Sequence, residues 1–129
     1  MTGWIGNVEG AAWANDYFRE VLCTEKHLQL VVMSLRPGEE IGLEVHEGHE
    51  QFLAIVSGRA TVTLGPSSDE VTEAHDIEAG WAALVPAGTW HNVINRGEIE
   101  LKLYTLYSPP EHPDGTVHQT KADATGARD

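Results

Sequence analysis

The fold is decided by two glycine-bounded stretches of the chain. Residues 38–58 read GEEIGLEVHEGHEQFLAIVSG, and residues 80–95 read GWAALVPAGTWHNVIN. Together they contain a carboxylate, two imidazoles and a carboxamide, all of which are side chains that bind metal ions in proteins. We predict that two β-hairpins aim these four side chains at one ion: Glu44, His46, Gln51 and His91.

Short strand-like runs and turn signals alternate around these two stretches. Residues 28–35 are rich in apolar and β-branched residues and stop at the turn sequence Arg36-Pro37-Gly38. Further turn signals follow at intervals of about ten residues, and helical periodicity is weak. This pattern is typical of an all-β sandwich or barrel.

Two particular hairpins are predicted. The apolar run 52–57 ends at Gly58 and residues 60–64 follow almost at once, which indicates a hairpin with glycine at its tight turn. Residues 17–22 fit either a short helix or a strand. The compact connection at 24–27 favours a strand that pairs with residues 28–35.

We divide the chain into three parts. Residues 1–27 form an N-terminal segment with one hairpin strand, residues 28–107 form the barrel, and residues 108–129 form a polar C-terminal tail. The last residues of the tail are expected to be mobile. His112 and His118 lie in the tail and are expected to be solvated.

Length and charge limit the functions that the chain can have. A chain of 129 residues is long enough for one domain with a single core, and the single cysteine, Cys23, excludes an internal disulfide. The formal net charge of −12 disfavours nucleic acids and anionic membranes as partners and weighs against a phosphorylated substrate. The N-terminus shows no secretory signal, and no apolar run reaches the ~20 residues of a membrane helix. We therefore expect a soluble, cytoplasmic protein.

The ligand types indicate the kind of metal. Glu44 and His46 are two residues apart, so in a strand they share a face. Histidine and carboxylate ligands favour a divalent first-row transition metal over Mg²⁺ or Ca²⁺, without distinguishing Fe, Mn, Zn and Ni. With the Gln51 carbonyl oxygen as a fourth, weaker ligand, an octahedral ion keeps two adjacent positions for water, oxygen or a bidentate substrate.

The second stretch resembles the second motif of the cupin superfamily. That motif runs glycine, five residues, Pro-any-Gly, two residues, His, three residues, Asn. This chain matches it at every fixed position: Gly80, Pro86, Gly88, His91 and Asn95. The chain is thus identified as similar to small single-domain cupins over residues 28–107, which implies a jelly-roll barrel (a double-stranded β-helix) of two antiparallel sheets.

The first stretch resembles the first cupin motif with two departures. It keeps Gly38, His46 and Gly58 at the expected intervals, but Glu44 stands where the family usually has His, and Gln51 stands where it usually has Glu. The protein still supplies one negative charge to the ion, because the carboxylate has only moved from the position of Gln51 to the position of Glu44. A divalent ion should bind more weakly, since a carboxamide is a poorer donor than an imidazole.

Other nearby residues have alternative roles. His49 shares a face with Gln51 if residues 49–51 are extended, so it could replace Gln51 or cap the site; a solvent-facing loop histidine is the simpler interpretation. No separate general base is evident, and the candidates are Glu44, His49 and Glu50. Glu50 should point away from Gln51.

Three functions are consistent with these residues. The first is a metalloenzyme that acts on a small molecule, for which the resemblance implies dioxygenases, isomerases, decarboxylases or lyases. The second is a non-catalytic module that binds a metal or a small ligand. The third, less favoured because of the acidic charge, is a sugar-phosphate isomerase, which requires Arg or Lys near the ion. Residues 28–35 are largely apolar on both faces, so we also expect a homodimer.

Overall fold

The structure, a computed structural model that describes residues 3–126, consists of two antiparallel β-sheets and two short helices. Helix α1 spans Val8–Ala14 and helix α2 spans Lys121–Gly126. The strands, in chain order, are β1 (Arg19–Thr24), β2 (Gln29–Leu35), β3 (Glu50–Ser57), β4 (Arg59–Gly65), β5 (Glu73–Glu78), β6 (Ala82–Val85), β7 (Trp90–Asn95), β8 (Leu101–Ser108) and β9 (Val117–His118).

The two sheets pack around one core. The larger sheet has the order β6-β3-β8-β2-β1-β9, and the smaller has the order β5-β4-β7. Along β3, every second side chain is buried, so that Leu53 and Ile55 face inward. They meet Val62 and Val93 of the smaller sheet in a continuous apolar cluster. The expected all-β jelly roll of two antiparallel sheets is confirmed.

The predicted hairpin around Gly58 is wrong. β3 pairs with β6 and β8, whereas β4 pairs with β5 and β7, so the chain passes from one sheet to the other at this glycine. One residue is too short to close a hairpin, which needs a loop of at least two. Gly58 adopts φ of +92°, and this left-handed conformation makes the corner.

Residues 17–22, which fitted a helix or a strand, contribute to β1. This strand pairs antiparallel with β2, from Arg19 opposite Met33 to Thr24 opposite Gln29. Helix α1 was not anticipated from the sequence. The Asn7 side chain caps it by accepting a hydrogen bond from the Gly10 N–H at 2.9 Å.

The segment after β8 does not behave as a solvated tail. Residues 109–116, here called the strap, fold back against Gln29 and His49, and β9 adds to the edge of the larger sheet beside β1. His112 and His118 are both half-buried, which corrects the expectation that they are solvated. The expectation of mobility at the end of the tail concerns mainly residues 127–129, which lie outside the described residues.

One buried side chain fastens the strap to the barrel. The Gln29 carboxamide is fully buried; its Nε2 donates to the His112 carbonyl at 2.8 Å, and its Oε1 accepts from the Glu111 and His112 N–H groups. A second Nε2 hydrogen bond reaches the Thr24 hydroxyl at 2.8 Å. The carboxamide thus uses its donors and its acceptor to hold the strap backbone in one position.

Within residues 3–126, neither helix has the length and apolar character that crossing a membrane would require.

The corner at Gly58 should be sensitive to any side chain. We expect Gly58→Ala to lower the free energy of unfolding by about 1–3 kcal/mol, because φ is positive and the new Cβ would lie 3.0 Å from the Glu100 carbonyl oxygen. Urea unfolding measures the loss. Gly48→Ala is the matched control, since Gly48 has no positive φ and its new Cβ would meet no atom within 4 Å. Equal stabilities of the two variants would contradict this account.

Candidate metal centre

A short backbone bridge brings the two glycine-bounded stretches together. Glu44 and His91 form an antiparallel bridge in which each N–H donates to the other's carbonyl, at 3.0 and 2.9 Å. One turn further on, the Gly88 N–H donates to the His46 carbonyl at 2.9 Å. These bonds set the positions of residues that are more than 40 apart in sequence. Glu44 and His91 are therefore brought together by this bridge rather than by two hairpins.

Three of the predicted ligands converge. Glu44 Oε1 lies 3.3 Å from His46 Nε2 and 3.6 Å from His91 Nε2, and the ligand atoms of all three residues lie within 4.8 Å of one another. The side chain of His91 is 3% exposed and that of His46 is 9% exposed, whereas that of Glu44 is 30% exposed. Glu44, His46 and His91 could hold one metal ion that is reached from the Glu44 side.

Hydrogen bonds on the far side of each imidazole select the nitrogen that is free. His91 Nδ1 lies 2.9 Å from the Thr89 carbonyl, which can only accept, so Nδ1 carries the proton and Nε2 keeps a lone pair. His46 Nδ1 lies 3.4 Å from Glu111 Oε1, which favours the same tautomer. Both Nε2 lone pairs thus face Glu44, as in metal sites whose histidines are oriented by outer hydrogen bonds.

The Gln51 side chain is buried, and its orientation follows from its neighbours. Nε2 donates to the Thr105 hydroxyl at 3.0 Å and lies 3.3 Å from the Tyr107 hydroxyl. The Thr105 hydroxyl donates in turn to the Phe52 carbonyl, so it must accept from Gln51. With Nε2 used in this way, the buried Oε1 has no hydrogen-bond partner within the described chain.

The residues present fit a cation. Three buried atoms with lone pairs make no hydrogen bond among the residues described: His46 Nε2, Gln51 Oε1 and His91 Nε2. A buried polar atom without a partner costs roughly 1–3 kcal/mol, and neutral imidazole lone pairs that face a carboxylate repel it. A positive ion would relieve both costs, and nitrogen and oxygen donors are what divalent first-row metals bind.

The charges in the centre are strongly coupled. Burial by itself would raise the pKa of Glu44, but when His46 or His91 also carries a proton on Nε2 in place of the lone pair, that contact outweighs burial and lowers the pKa to about 2. Burial tends to lower the pKa of His46, whereas Glu44 and Glu111 raise it above its usual value. Glu44 is therefore ionised, and a proton competes with a metal for His46.

The other predicted candidates lie outside this group. His49 is in contact with the strap, where its Nε2 lies 3.0 Å from the Pro110 carbonyl and 3.5 Å from Glu111 Oε1. Its ring centre is 6.0 Å from that of His46. Glu50 is exposed at the start of β3. Asn95 of the second motif has a structural role, because its Nδ2 donates to the carbonyls of Leu35 and Ile99.

Two residues beside the centre could not be identified from the sequence. Glu111 orients His46 from the strap, and Tyr107 packs edge-on against the His46 ring with 5.7 Å between ring centres. Burial raises the pKa of the Tyr107 phenol, and the Glu44 charge raises it further, so the hydroxyl stays protonated. The only sequence signal was the Pro109-Pro110 turn, which could have indicated a chain reversal before Glu111.

Removing the Glu111 charge should weaken metal binding although Glu111 is not a ligand. We expect Glu111→Gln to reduce Zn²⁺ affinity about 10-fold or more, because the carboxylate that orients His46 is lost. Competition with a chromophoric chelator measures the affinity. The matched control is Glu73→Gln, which changes an exposed carboxylate 3.0 Å from His75. An unchanged affinity of the Glu111 variant would show that Glu111 does not orient the ligand.

Comparisons with known proteins give consistent matches over most of the chain. The family model described as "Cupin domain" matches residues 31–107. The uncharacterized protein YrkC of Bacillus subtilis (strain 168) is 50% identical over 125 residues, which cover 97% of this chain and 67% of YrkC. The uncharacterized protein L612 of Acanthamoeba polyphaga mimivirus is 38% identical over 125 residues, covering 96% of this chain and 76% of L612. The crystal structure of BH2720 from Bacillus halodurans superimposes with a TM-score of 0.95 at 46% identity, covering 96% of this chain and 94% of BH2720. The chain belongs to the cupin family.

Proposed function

We propose that this protein is a metal-dependent enzyme that acts on a small molecule inside the barrel. The ligands are Glu44, His46, Gln51 and His91, and the ion is one divalent first-row transition metal. A single observation supports the proposal most strongly: buried nitrogens of His46 and His91 face an ionised Glu44, and neither they nor the buried Gln51 Oε1 has a hydrogen-bond partner in the described chain.

The donor set has one negative charge and three neutral donors. This is the charge of the usual cupin set, with Glu44 supplying the carboxylate and Gln51 a carbonyl oxygen. Such a set suits Fe, Mn, Zn or Ni. When bound, the ion supplies Lewis acidity, which polarises a carbonyl or hydroxyl group of the substrate.

The chain's own residues would orient the substrate and handle protons. The 30% exposure of the Glu44 side chain leaves the centre open on one side, whereas the buried Tyr107 ring packs against His46. Of the acid–base candidates, His49 is favoured over Glu50, because its ring lies near His46 and its Nε2 is close to the Glu111 carboxylate.

Metal binding without catalysis is the second candidate. The observation that favours it is a cavity of about 440 Å³ beside the centre, which Glu111 and His112 line but none of the four proposed ligands does. Arg19 and Lys121 also line this cavity, so the condition that would exclude a sugar-phosphate isomerase is not met. The net charge of −12 still weighs against a phosphorylated substrate.

Metal content and turnover should depend on the two histidines. We expect protein purified without added metal to contain one transition-metal ion per chain by elemental analysis, and the double variant His46→Ala/His91→Ala to contain none. His75→Ala, which removes an exposed histidine, is the control and should keep the ion. Gln51→Leu should weaken metal binding while leaving the triad in place, which tests the fourth ligand.

The unmodified protein and the double variant also distinguish a metalloenzyme from a protein that binds metal without catalysis. Screening the iron, manganese, nickel and zinc forms against small carbonyl and hydroxy compounds should give turnover that the double variant lacks. Turnover that survives in the metal-free double variant would refute the metalloenzyme. A metal-loaded protein in which no added ligand exchanges with bound water would favour binding alone.

We further propose a homodimer formed through the outer face of the larger sheet. Leu84, Phe52, Leu106 and Leu30 are direct cross-strand neighbours on four adjacent strands, so they form one apolar row on the face opposite the core. Helix α1 packs on part of this sheet, yet Leu84 remains 69% exposed. An apolar row of this kind is typical of an interface between copies.

A charge in this row should separate the copies. We expect Leu84→Glu to shift the protein from dimer to monomer at micromolar concentration, because a carboxylate would be buried between apolar surfaces. Sedimentation velocity measures the mass. Ile99→Glu is the control, since Ile99 is 58% exposed but lies in the turn before β8. A monomeric unmodified protein would contradict the proposal.

A further inference from the structure

Arg19 occupies a position where the fold requires an apolar residue. It lies opposite Met33 on β2, which lies opposite Leu103 on β8, which lies opposite Ile55 on β3. Directly opposed residues share one face of a sheet, so Arg19 belongs to the row that faces the barrel interior. Its three neighbours in the row are buried apolar residues, and Arg19 itself is only 8% exposed.

This guanidinium has no carboxylate partner among residues 3–126. One terminal nitrogen lies 3.1 Å from His118 Nδ1, the guanidinium carbon lies 5.2 Å from the centre of the Phe18 ring, and the buried Nε makes no hydrogen bond. No acidic oxygen of the described chain lies within 4.0 Å of it. A buried, unpaired charge is costly. In a chain with 20 acidic residues, a buried arginine without a carboxylate partner is unexpected.

Arg19 lines a cavity of about 440 Å³, a size that suits a small organic ligand. Lys121 supplies a second cation, and its ammonium group donates to the carbonyls of Glu40 and Ile41 without a carboxylate partner in the described chain. His112 also lines the cavity, and its buried Nε2 has no hydrogen-bond partner in the described chain. Phe18 and Ile41 form an apolar wall. Burial, together with the charge of Arg19, lowers the pKa of His112 to about 4, so this ring is neutral near pH 7.

We propose that this cavity binds the carboxylate group of a small organic acid, with Arg19 as its anchor. The planar fork of a guanidinium matches the two oxygens of a carboxylate, and the bond is stronger where water is excluded. The remainder of the ligand would lie against Phe18 and Ile41. A dianion is disfavoured, because Glu111 also lines the cavity and the protein as a whole is acidic.

The site is distinct from the proposed metal centre but shares a wall with it. Glu111 lines the cavity, and its Oε1 lies 3.4 Å from His46 Nδ1. The next residue, His112, packs edge-on against Tyr107 with 5.3 Å between ring centres. The proposal therefore goes beyond the proposed function, and it does not require a metal to be bound.

Isothermal titration with matched probes tests this inference. Benzoate supplies a carboxylate on a compact apolar group, benzamide is its neutral analogue, and phenylphosphonate carries the larger anion. We expect benzoate to bind with a dissociation constant in the millimolar range or tighter, and benzamide and phenylphosphonate to bind at least about 10-fold more weakly. Arg19→Met should lose at least about 10-fold in benzoate affinity, and Arg19→Lys should lose less.

Two controls keep the outcomes separate. Arg96→Met removes an exposed guanidinium elsewhere and should bind benzoate as the unmodified protein does. The metal-free variant His46→Ala/His91→Ala should also retain benzoate binding, so a failure of the metal proposal would not affect this result. Should Arg19→Met fail to fold, the comparison of benzoate with benzamide on the unmodified protein still decides.

Several results would overturn the inference. They are an absence of benzoate binding at tens of millimolar, benzamide binding as tightly as benzoate, tighter binding of phenylphosphonate, and an Arg19→Met variant with unchanged affinity. If Arg19 served only to hold β9 through His118, the Met variant would lose stability, and benzoate and benzamide would not differ. Loss of benzoate binding in the metal-free variant would contradict a separate site.

Discussion

The structure depends on one electrostatic constraint: two buried imidazole nitrogens face a carboxylate, and neither they nor the buried amide oxygen of Gln51 has a hydrogen-bond donor among the described residues. The surrounding hydrogen bonds preserve this arrangement. The Thr89 carbonyl and the Glu111 carboxylate fix the tautomers of His91 and His46. The reciprocal bridge between Glu44 and His91 fixes the distance between the two stretches of chain. Such a group is unfavourable unless a cation completes it.

Around this centre the protein builds a second layer from its C-terminal part. The strap brings Glu111 to His46 and His49, and the carboxamide of Gln29 holds the strap backbone. On its other side the strap forms one wall of the cavity that Arg19 lines. Glu111 therefore faces two chemically different environments, a cluster of histidines on one side and a buried guanidinium across the cavity on the other.

Sequence reasoning was most successful where spacing dictates geometry. Turn signals about ten residues apart predicted the all-β class, whereas the jelly roll and the grouping of Glu44, His46 and His91 were implied by the resemblance of the two spaced motifs to those of cupins. It failed at Gly58, since an apolar run, a glycine and a second run describe a hairpin and a corner between sheets equally well. It also missed Glu111 and Arg19. Their roles arise from contacts between residues far apart in the chain, which local patterns do not encode.

The position of the strap along the chain has a consequence for biosynthesis. Glu111 comes 67 residues after Glu44 (111 − 44), and Gln29, which holds it, belongs to the second strand. While the chain is emerging from the ribosome, the candidate ligands Glu44 and His46 are made long before the group that orients His46. A metal that arrives early would meet an imidazole that is still free to rotate. Complete ordering of the His46 ring therefore requires the strap, which is synthesised after all four candidate ligands.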